Sequence, residues 1–240
     1  MPSFPKTLEL VFFPSFCRLC GELLVLHRER IVCRNCLSGL ESWVFSFCLR
    51  CGRFIPSCDE SIRCEWCQKL PLPYSLHRSC GPYRDRLKDV ILLLKFHGCA
   101  PLAEDLAAYA CKSVVPQDVL WNNVDMVVPV PLHKKKRKRR GYNQSGLFAR
   151  ALSRRMDLPF KDNVLRKIHY GRPQMLLEAE ERRKNVRNEY FLNKPVSING
   201  KTLLLVDDVF TTGATVGECS RVLLKGGAKE VRVLTLAQVL

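Results

Sequence analysis

Two adjacent carboxylates and several small hydroxyl residues lie at the end of one apolar segment, LLLVDDVFTTGAT, residues 203–215. Asp207 and Asp208 follow the apolar residues and can accept hydrogen bonds from a diol. A turn of small residues then leads into a predicted helix: Thr211, Thr212, Gly213, Ala214 and Thr215. Free amides at a helix start, together with hydroxyl groups, suit a phosphate monoester. Acids often end strands and Thr-Gly often starts helices, but in this order the residues indicate a ribose 5-phosphate site.

Eight cysteines form a repeated spacing in the first third of the chain. Two CxxC pairs are separated by 12 residues, and the same arrangement returns after a shift of 31 residues. Four thiolates in two such pairs can close a tetrahedral zinc site, so we predict about two structural zinc ions, one for each repeat. Buried free thiols and an iron–sulfur cluster are the alternatives. The predicted ligands are Cys17, Cys20, Cys33, Cys36, Cys48, Cys51, Cys64 and Cys67.

Alternating strands and helices are predicted to position these residues. The predicted strands are DMVVPVPL, EYFL, GKTLLLVDD and KEVRVLTLAQVL. The predicted helices are YRDRLKDVILLLKFHG, LAEDLAAYACKSVV, NQSGLFARALSRRM and GATVGECSRVLLKGG. This order predicts an α/β fold, a mainly parallel sheet with helices on both faces and ligands at the carboxyl ends of its strands. We therefore divide the chain into a small zinc-ribbon domain, residues 1–72, and an α/β domain, residues 73–240.

The segment LLLVDDVFTTGAT resembles the phosphoribosyl-pyrophosphate (PRPP) signature of type I phosphoribosyltransferases. The resemblance implies that fold for residues 73–240, with Asp207 and Asp208 on the ribose hydroxyls and Thr211 to Thr215 around the 5-phosphate. Phe210 departs from the signature, because an aliphatic residue is usual there. Further segments, VPVPLHKKKRKRRGYNQ, RPQMLLEAEERRKNV and LKFHG, together with the paired cysteines, are similar to the ComF family, known for competence protein F.

The resemblance also implies how the remainder of PRPP is held. In these transferases a nucleophile displaces magnesium-bound pyrophosphate from the anomeric carbon of the sugar. Residues expected near the pyrophosphate come from the loop after the first predicted strand, from the basic run and from the segment 170–187. They are Pro131, Leu132, Arg140, Gly141, Asn143, Gln144, Arg182 and Lys184. Magnesium is expected to be held mainly by ligand oxygens and water, and no residue type identifies a general base.

The positive charge of the chain is concentrated in one segment. The formal net charge is +16, and residues 132–188 hold 18 Lys or Arg against 5 Asp or Glu. Seven of these cations are adjacent, Lys134 to Arg140, which predicts an exposed segment that attracts polyanions. Single-stranded DNA would add base stacking on aromatics such as Tyr142, and the ComF resemblance implies a role in its uptake. A solvated loop, or one that serves only pyrophosphate, is the alternative.

Composition and termini complete the expectation. No apolar run reaches the roughly 18 residues of a membrane span, and the N-terminus lacks the features of an export signal. We therefore expect a cytoplasmic protein with reduced thiols and no membrane insertion. The leading hypothesis is a ComF-type protein that binds PRPP and single-stranded DNA during DNA uptake. The alternatives are a metabolic phosphoribosyltransferase with an unknown acceptor, or an adaptor that docks a helicase-like competence partner.

Overall fold

The computed structural model describes residues 14–25, 30–40, 48–53, 64–65, 67, 72–114, 119–168, 188–193 and 197–239. The strands are β1 (Leu76–Pro82), β2 (Met126–Pro129), β3 (Leu165–Lys167), β4 (Tyr190–Leu192), β5 (Thr202–Phe210) and β6 (Glu230–Gln238). The helices are α1 (Arg34–Ser38), α2 (Asp85–Phe96), α3 (Leu102–Ser113), α4 (Lys134–Arg140), α5 (Gln144–Met156) and α6 (Ala214–Lys225).

Four strands form one sheet in the order β1-β6-β5-β2, and every neighbouring pair is parallel. Strands β3 and β4 form a separate antiparallel pair. Strand β5 lies between β6 and β2, and its residues Leu203 to Val206 are fully buried because both faces of the sheet are covered. The strand continues to Phe210, two residues beyond the end that the sequence predicted. The expected mainly parallel sheet is confirmed.

Hydrophobic cores lie on both faces of this sheet. Leu204 and Val206 pack into the core that holds α2, α3 and α5. Leu203 and Leu205 pack into the opposite core, which holds α6 and the β3–β4 pair. Successive side chains of a strand point to opposite faces, so the unbroken apolar run of β5 serves both cores. The expected helices on both faces are confirmed.

Strand β1 was not predicted from the sequence, although all seven of its residues are buried. Residues of the second cysteine repeat lie beside it. The amide of His77 donates to the carbonyl of Arg50 at 2.7 Å, and Arg78 Nη1 donates to the carbonyl of Leu49 at 2.7 Å. These contacts satisfy polar groups that would be costly to bury alone, which explains how LHRSCGP forms a buried strand.

The first cysteine repeat packs against the helical layer. Cys17, Cys33 and Cys36 belong to the same buried core as Leu87 of α2 and Leu102 of α3. The boundary between residues 72 and 73 stays a prediction, since residues 68–71 lie outside the described ranges. In the described part of the chain, no helix has both the length and the apolar character needed to cross a bilayer.

Candidate functional site

The two adjacent carboxylates lie near the carboxyl end of β5, where they are held by donors from neighbouring segments. Ser145 Oγ at the start of α5 donates to Asp207 Oδ1 at 2.8 Å. The amide of Asp208 donates to the same oxygen at 2.9 Å. Burial and the adjacent Asp208 carboxylate raise the pKa of Asp207 to about 7. Asp207 therefore exchanges a proton near neutral pH.

Asp208 is bound by two side chains that come from different helices. Lys95 Nζ, near the end of α2, lies 2.9 Å from Asp208 Oδ1. Gln144 Nε2, at the start of α5, donates to Asp208 Oδ2 at 2.7 Å. Burial by itself lowers the pKa of Lys95, but the Asp208 carboxylate outweighs burial and raises this pKa overall. Sequence reasoning missed Lys95, whose only signal was its place in the segment LKFHG.

Arg140 connects this pair to the protein surface. Its Nη1 donates to Gln144 Oε1, so the guanidinium, the amide and the Asp208 carboxylate form one hydrogen-bonded series. The Arg140 Cζ atom also lies 4.9 Å from the centre of the Phe96 ring. Gln144 was predicted to contact pyrophosphate; in this structure its amide group is engaged with Asp208 and Arg140.

The basic run is a helix, where the sequence indicated only an exposed segment and left a solvated loop as the alternative. Helix α4 begins where His133 Nδ1 accepts from the amide of Lys135 at 3.2 Å. It ends at Gly141, which has a φ of +88° and donates to the carbonyl of Arg137 at 2.8 Å. None of its seven residues is buried, so water screens the repulsion that their charges would otherwise produce.

The cations of α4 have further positive neighbours. Burial lowers the pKa of Lys136, and the positive charges of Lys167, Arg140 and Arg139 lower it further. A lysine whose pKa is depressed by other cations lies in a positive potential, and such a potential attracts anions. The surface around α4 is therefore electropositive.

The turn after β5 has the conformation that its sequence required. Gly213 has a φ of +77°, in the left-handed region, and α6 begins at the next residue. A Cβ atom at this glycine would lie 2.7 Å from Phe210 Cζ. The Phe210 ring in turn stacks on His77, with ring centres 4.1 Å apart. Phe210, the departure from the signature, therefore forms one wall of the turn.

The remaining residues that were predicted to lie near pyrophosphate belong to the start of α5, to the segment after β2 and to residues outside the described ranges. Asn143 Nδ2 donates to the carbonyl of Val130 at 3.0 Å, which joins the start of α5 to the segment after β2. Its Oδ1 atom is buried and has no hydrogen-bond partner among the described residues. Pro131 and Leu132 are half-buried in the segment after β2. Arg182 and Lys184 lie outside the described residues.

The eight predicted zinc ligands form two groups of four. The groups follow the sequential pairing that the repeat predicted, Cys17, Cys20, Cys33 and Cys36 in one and Cys48, Cys51, Cys64 and Cys67 in the other. Within each group the sulfur atoms lie within 4.8 Å of one another. The closest pairs of sulfur atoms are 3.5 to 3.8 Å apart. Four sulfur atoms around a tetrahedral zinc ion lie about 3.8 Å from one another.

Backbone amides favour the thiolate form of one cysteine in each group. The amide of Cys33 donates to Cys17 Sγ at 3.3 Å, and the amide of Cys64 donates to Cys48 Sγ at 3.4 Å. Burial opposes ionisation, but backbone amides outweigh it and lower the pKa of Cys17 and of Cys48 to about 6. The donor set therefore fits zinc, which binds the thiolate form.

Comparison with known proteins agrees with this geometry. The family described as "Phosphoribosyl transferase domain" matches residues 100–239. The DNA utilization protein YhgH of Salmonella typhimurium is 31% identical over 229 residues, 95% of this chain and 98% of that protein. Competence protein F of Haemophilus influenzae is 30% identical over 95% of this chain and 98% of that protein. Competence protein ComFC of Bacillus subtilis is 30% identical over 89% of this chain and 87% of that protein.

The fold, the carboxylate pair and the family match define a protein with a phosphoribosyl transferase domain. A solved hypoxanthine phosphoribosyltransferase from Staphylococcus aureus covers 63% of this chain and 64% of its own at 16% identity, with a TM-score of 0.35. The similarity to competence protein F covers 95% of this chain, so it extends into the N-terminal region that holds the cysteine repeats. The chain belongs to the competence protein F (ComF) family.

Proposed function

We propose that this protein binds PRPP with magnesium at the carboxyl end of β5 and single-stranded DNA on the adjoining surface of α4. The observation that carries the first half is the arrangement of Asp207, Asp208 and the Gly213 turn at one end of the central strand. Ribose hydroxyls would donate to the carboxylates, and the 5-phosphate would accept from the amides and hydroxyls that open α6.

The cations beside the carboxylates suit the remainder of this ligand. Lys95 places an ammonium against Asp208, and Arg140 places a guanidinium on Gln144, which itself binds Asp208. A pyrophosphate carries several negative charges, and cations at fixed positions bind it at little reorganisation cost. Bound magnesium would neutralise further charge on the pyrophosphate, held mainly by the ligand's own oxygens and water.

The second half of the proposal is supported by charge and by the relatives. Helix α4 presents seven adjacent cations beside the proposed PRPP site. The similar proteins carry the names DNA utilization protein and competence protein. We extend that role to this chain as the binding of single-stranded DNA during DNA uptake.

Calorimetric titration with PRPP and magnesium tests the first half through a matched pair of glycines. Gly213 and Gly200 both have left-handed backbone, with φ of +77° and +70°. A Cβ atom at position 213 meets Phe210, whereas one at position 200 meets nothing within 4 Å. Gly213→Ala should abolish PRPP binding and Gly200→Ala should preserve it. Equal affinities for the two variants and the wild-type chain would contradict the site.

Salt dependence of oligonucleotide binding tests the second half. Each phosphate contact on a single strand contributes about −0.7 to the slope of log affinity against log salt. Replacing exposed Lys138 and Arg139 of α4 by Gln should reduce the steepness by about 1.4. Replacing exposed Lys225 and Lys229, at the far end of α6, should leave it unchanged. A wild-type affinity that does not respond to salt would refute DNA binding by this surface.

Turnover is tested separately. Pyrophosphate release is measured with PRPP and a panel of nucleobases and amines, for the wild-type chain and for Asp208→Asn. We expect binding of PRPP without release at ordinary enzyme rates. Rapid release that is lost in the variant would identify a metabolic phosphoribosyltransferase instead.

A further inference from the structure

Phe96 is the most exposed large apolar side chain in the described part of the molecule, at 61% exposure. It is the last residue of α2 and follows Lys95, which binds Asp208. Single exposed apolar residues are common on protein surfaces. What distinguishes Phe96 is its position between the proposed PRPP site and the basic helix α4.

The Arg140 guanidinium packs on the Phe96 ring at 4.9 Å from its centre. Arg140 also donates to Gln144, which binds Asp208, so its position is fixed from a second direction. This contact orders the aromatic ring, while most of its surface stays accessible to solvent. An ordered, accessible ring beside cations has the composition of a base-stacking platform in single-strand binding proteins.

Tyr142, the aromatic that the sequence suggested for stacking, is held differently. Its hydroxyl donates to the carbonyl of Leu94 at 2.6 Å, and its ring packs against the core of α2, α3 and α5. The side chain is only partly exposed. Phe96 is therefore the better-placed aromatic of the two.

We infer that Phe96 stacks on a nucleobase of a single-stranded nucleic acid whose phosphates lie along α4. This inference rests on the proposed DNA binding and adds a site for the base. The π-face of any base fits a phenyl ring, so the contact would be tolerant of sequence. The adjacent cations favour a polyanion over a neutral aromatic ligand.

The test compares an oligothymidylate of about twelve nucleotides with an abasic oligomer of the same length. Wild-type protein should bind the oligothymidylate at least about fivefold more tightly, because stacking is worth about 1 kcal/mol or more for each base. Phe96→Leu keeps an apolar side chain but has no aromatic face, so it should lose this preference without changing the salt slope. Phe96→Trp should retain the preference. Phe191→Leu, at another exposed phenylalanine on β4, should behave as wild type.

The outcomes distinguish a failure of the stacking site from a failure of the proposed DNA binding on which it rests. A wild-type chain that binds neither oligomer would overturn DNA binding and stacking together. A wild-type chain that binds both oligomers equally, or a Phe96→Leu variant that keeps the preference, would overturn the stacking site and leave DNA binding by α4 in place. Competition by free thymine at the concentration of the oligonucleotide would also overturn it, because the ring would then belong to a site for a small free base.

Discussion

Asp207→Asn should stabilise the protein by an amount that grows with pH. Burial and Asp208 raise the pKa of the Asp207 carboxyl from 3.8 to about 7. The native state therefore holds this proton more tightly than the unfolded state. The stabilising contribution of the proton is complete below the unfolded pKa and is lost as pH rises through the folded pKa. Asparagine does not ionise, so the variant avoids that loss.

The size of the effect follows from the shift. A shift of about three pKa units corresponds to roughly 4 kcal/mol in total, at 1.36 kcal/mol for each unit. Zinc ligation is readily maintained between about pH 5 and about pH 8. Across this interval, the free energy of unfolding of the variant relative to wild type should rise by roughly 2.5 kcal/mol. Above about pH 8 the difference should level off, since Asp207 is then ionised in both states.

Urea unfolding of zinc-loaded protein at a series of pH values measures this difference. Asp162→Asn is the control, because the Asp162 side chain is 47% exposed and its ion pair with Arg150 is long, at 3.8 Å. The control should differ from wild type by less than about 0.5 kcal/mol at every pH. A constant difference between Asp207→Asn and wild type, or one that shrinks as pH rises, would show that the pKa of Asp207 is not raised in the folded protein.

Two further predictions concern the ion pair and the metal groups. Lys95→Met should lower the free energy of unfolding by about 3 kcal/mol, because it leaves the buried Asp208 carboxylate without its ammonium partner. Adding Asp208→Asn should recover most of that loss. Equal losses in the single and double variants would contradict the pairing. Cys48→Ser should lower the zinc content from about two ions to about one for each chain, as measured by elemental analysis. The control Cys99→Ser should keep both ions. Loss of both metals from Cys48→Ser would contradict two separate sites.

Most of the sheet and its helices could be predicted because the signal is local. The apolar run of β5 and the periodic residues of α2 depend only on neighbours in sequence. Strand β1 gave no such signal. Its polar residues His77 and Arg78 are buried against carbonyl groups from the second cysteine repeat, and no periodicity within LHRSCGP reports those partners.

The candidate site divides in the same way. Asp207, Asp208 and the Gly213 turn are contiguous along the chain, so the amino-acid sequence alone brings them together. Lys95 contacts Asp208 only because α2 packs beside the sheet. No residue near position 208 in the sequence predicts this contact. The helical state of α4 was not predicted, since adjacent cations repel one another and indicate only an exposed segment. Its ends are fixed by single residues at either side rather than by an apolar face.

The position of the second cysteine repeat beside β1 has a consequence for any shortened form of the protein. β1 is the outermost strand of the sheet, and on its free side an amide is bonded to the carbonyl of Arg50. Removal of the repeat would expose main-chain groups of this edge strand, and such groups are a template for strand addition by a second copy. The second cysteine repeat therefore covers part of the sheet edge as well as grouping its four sulfur atoms.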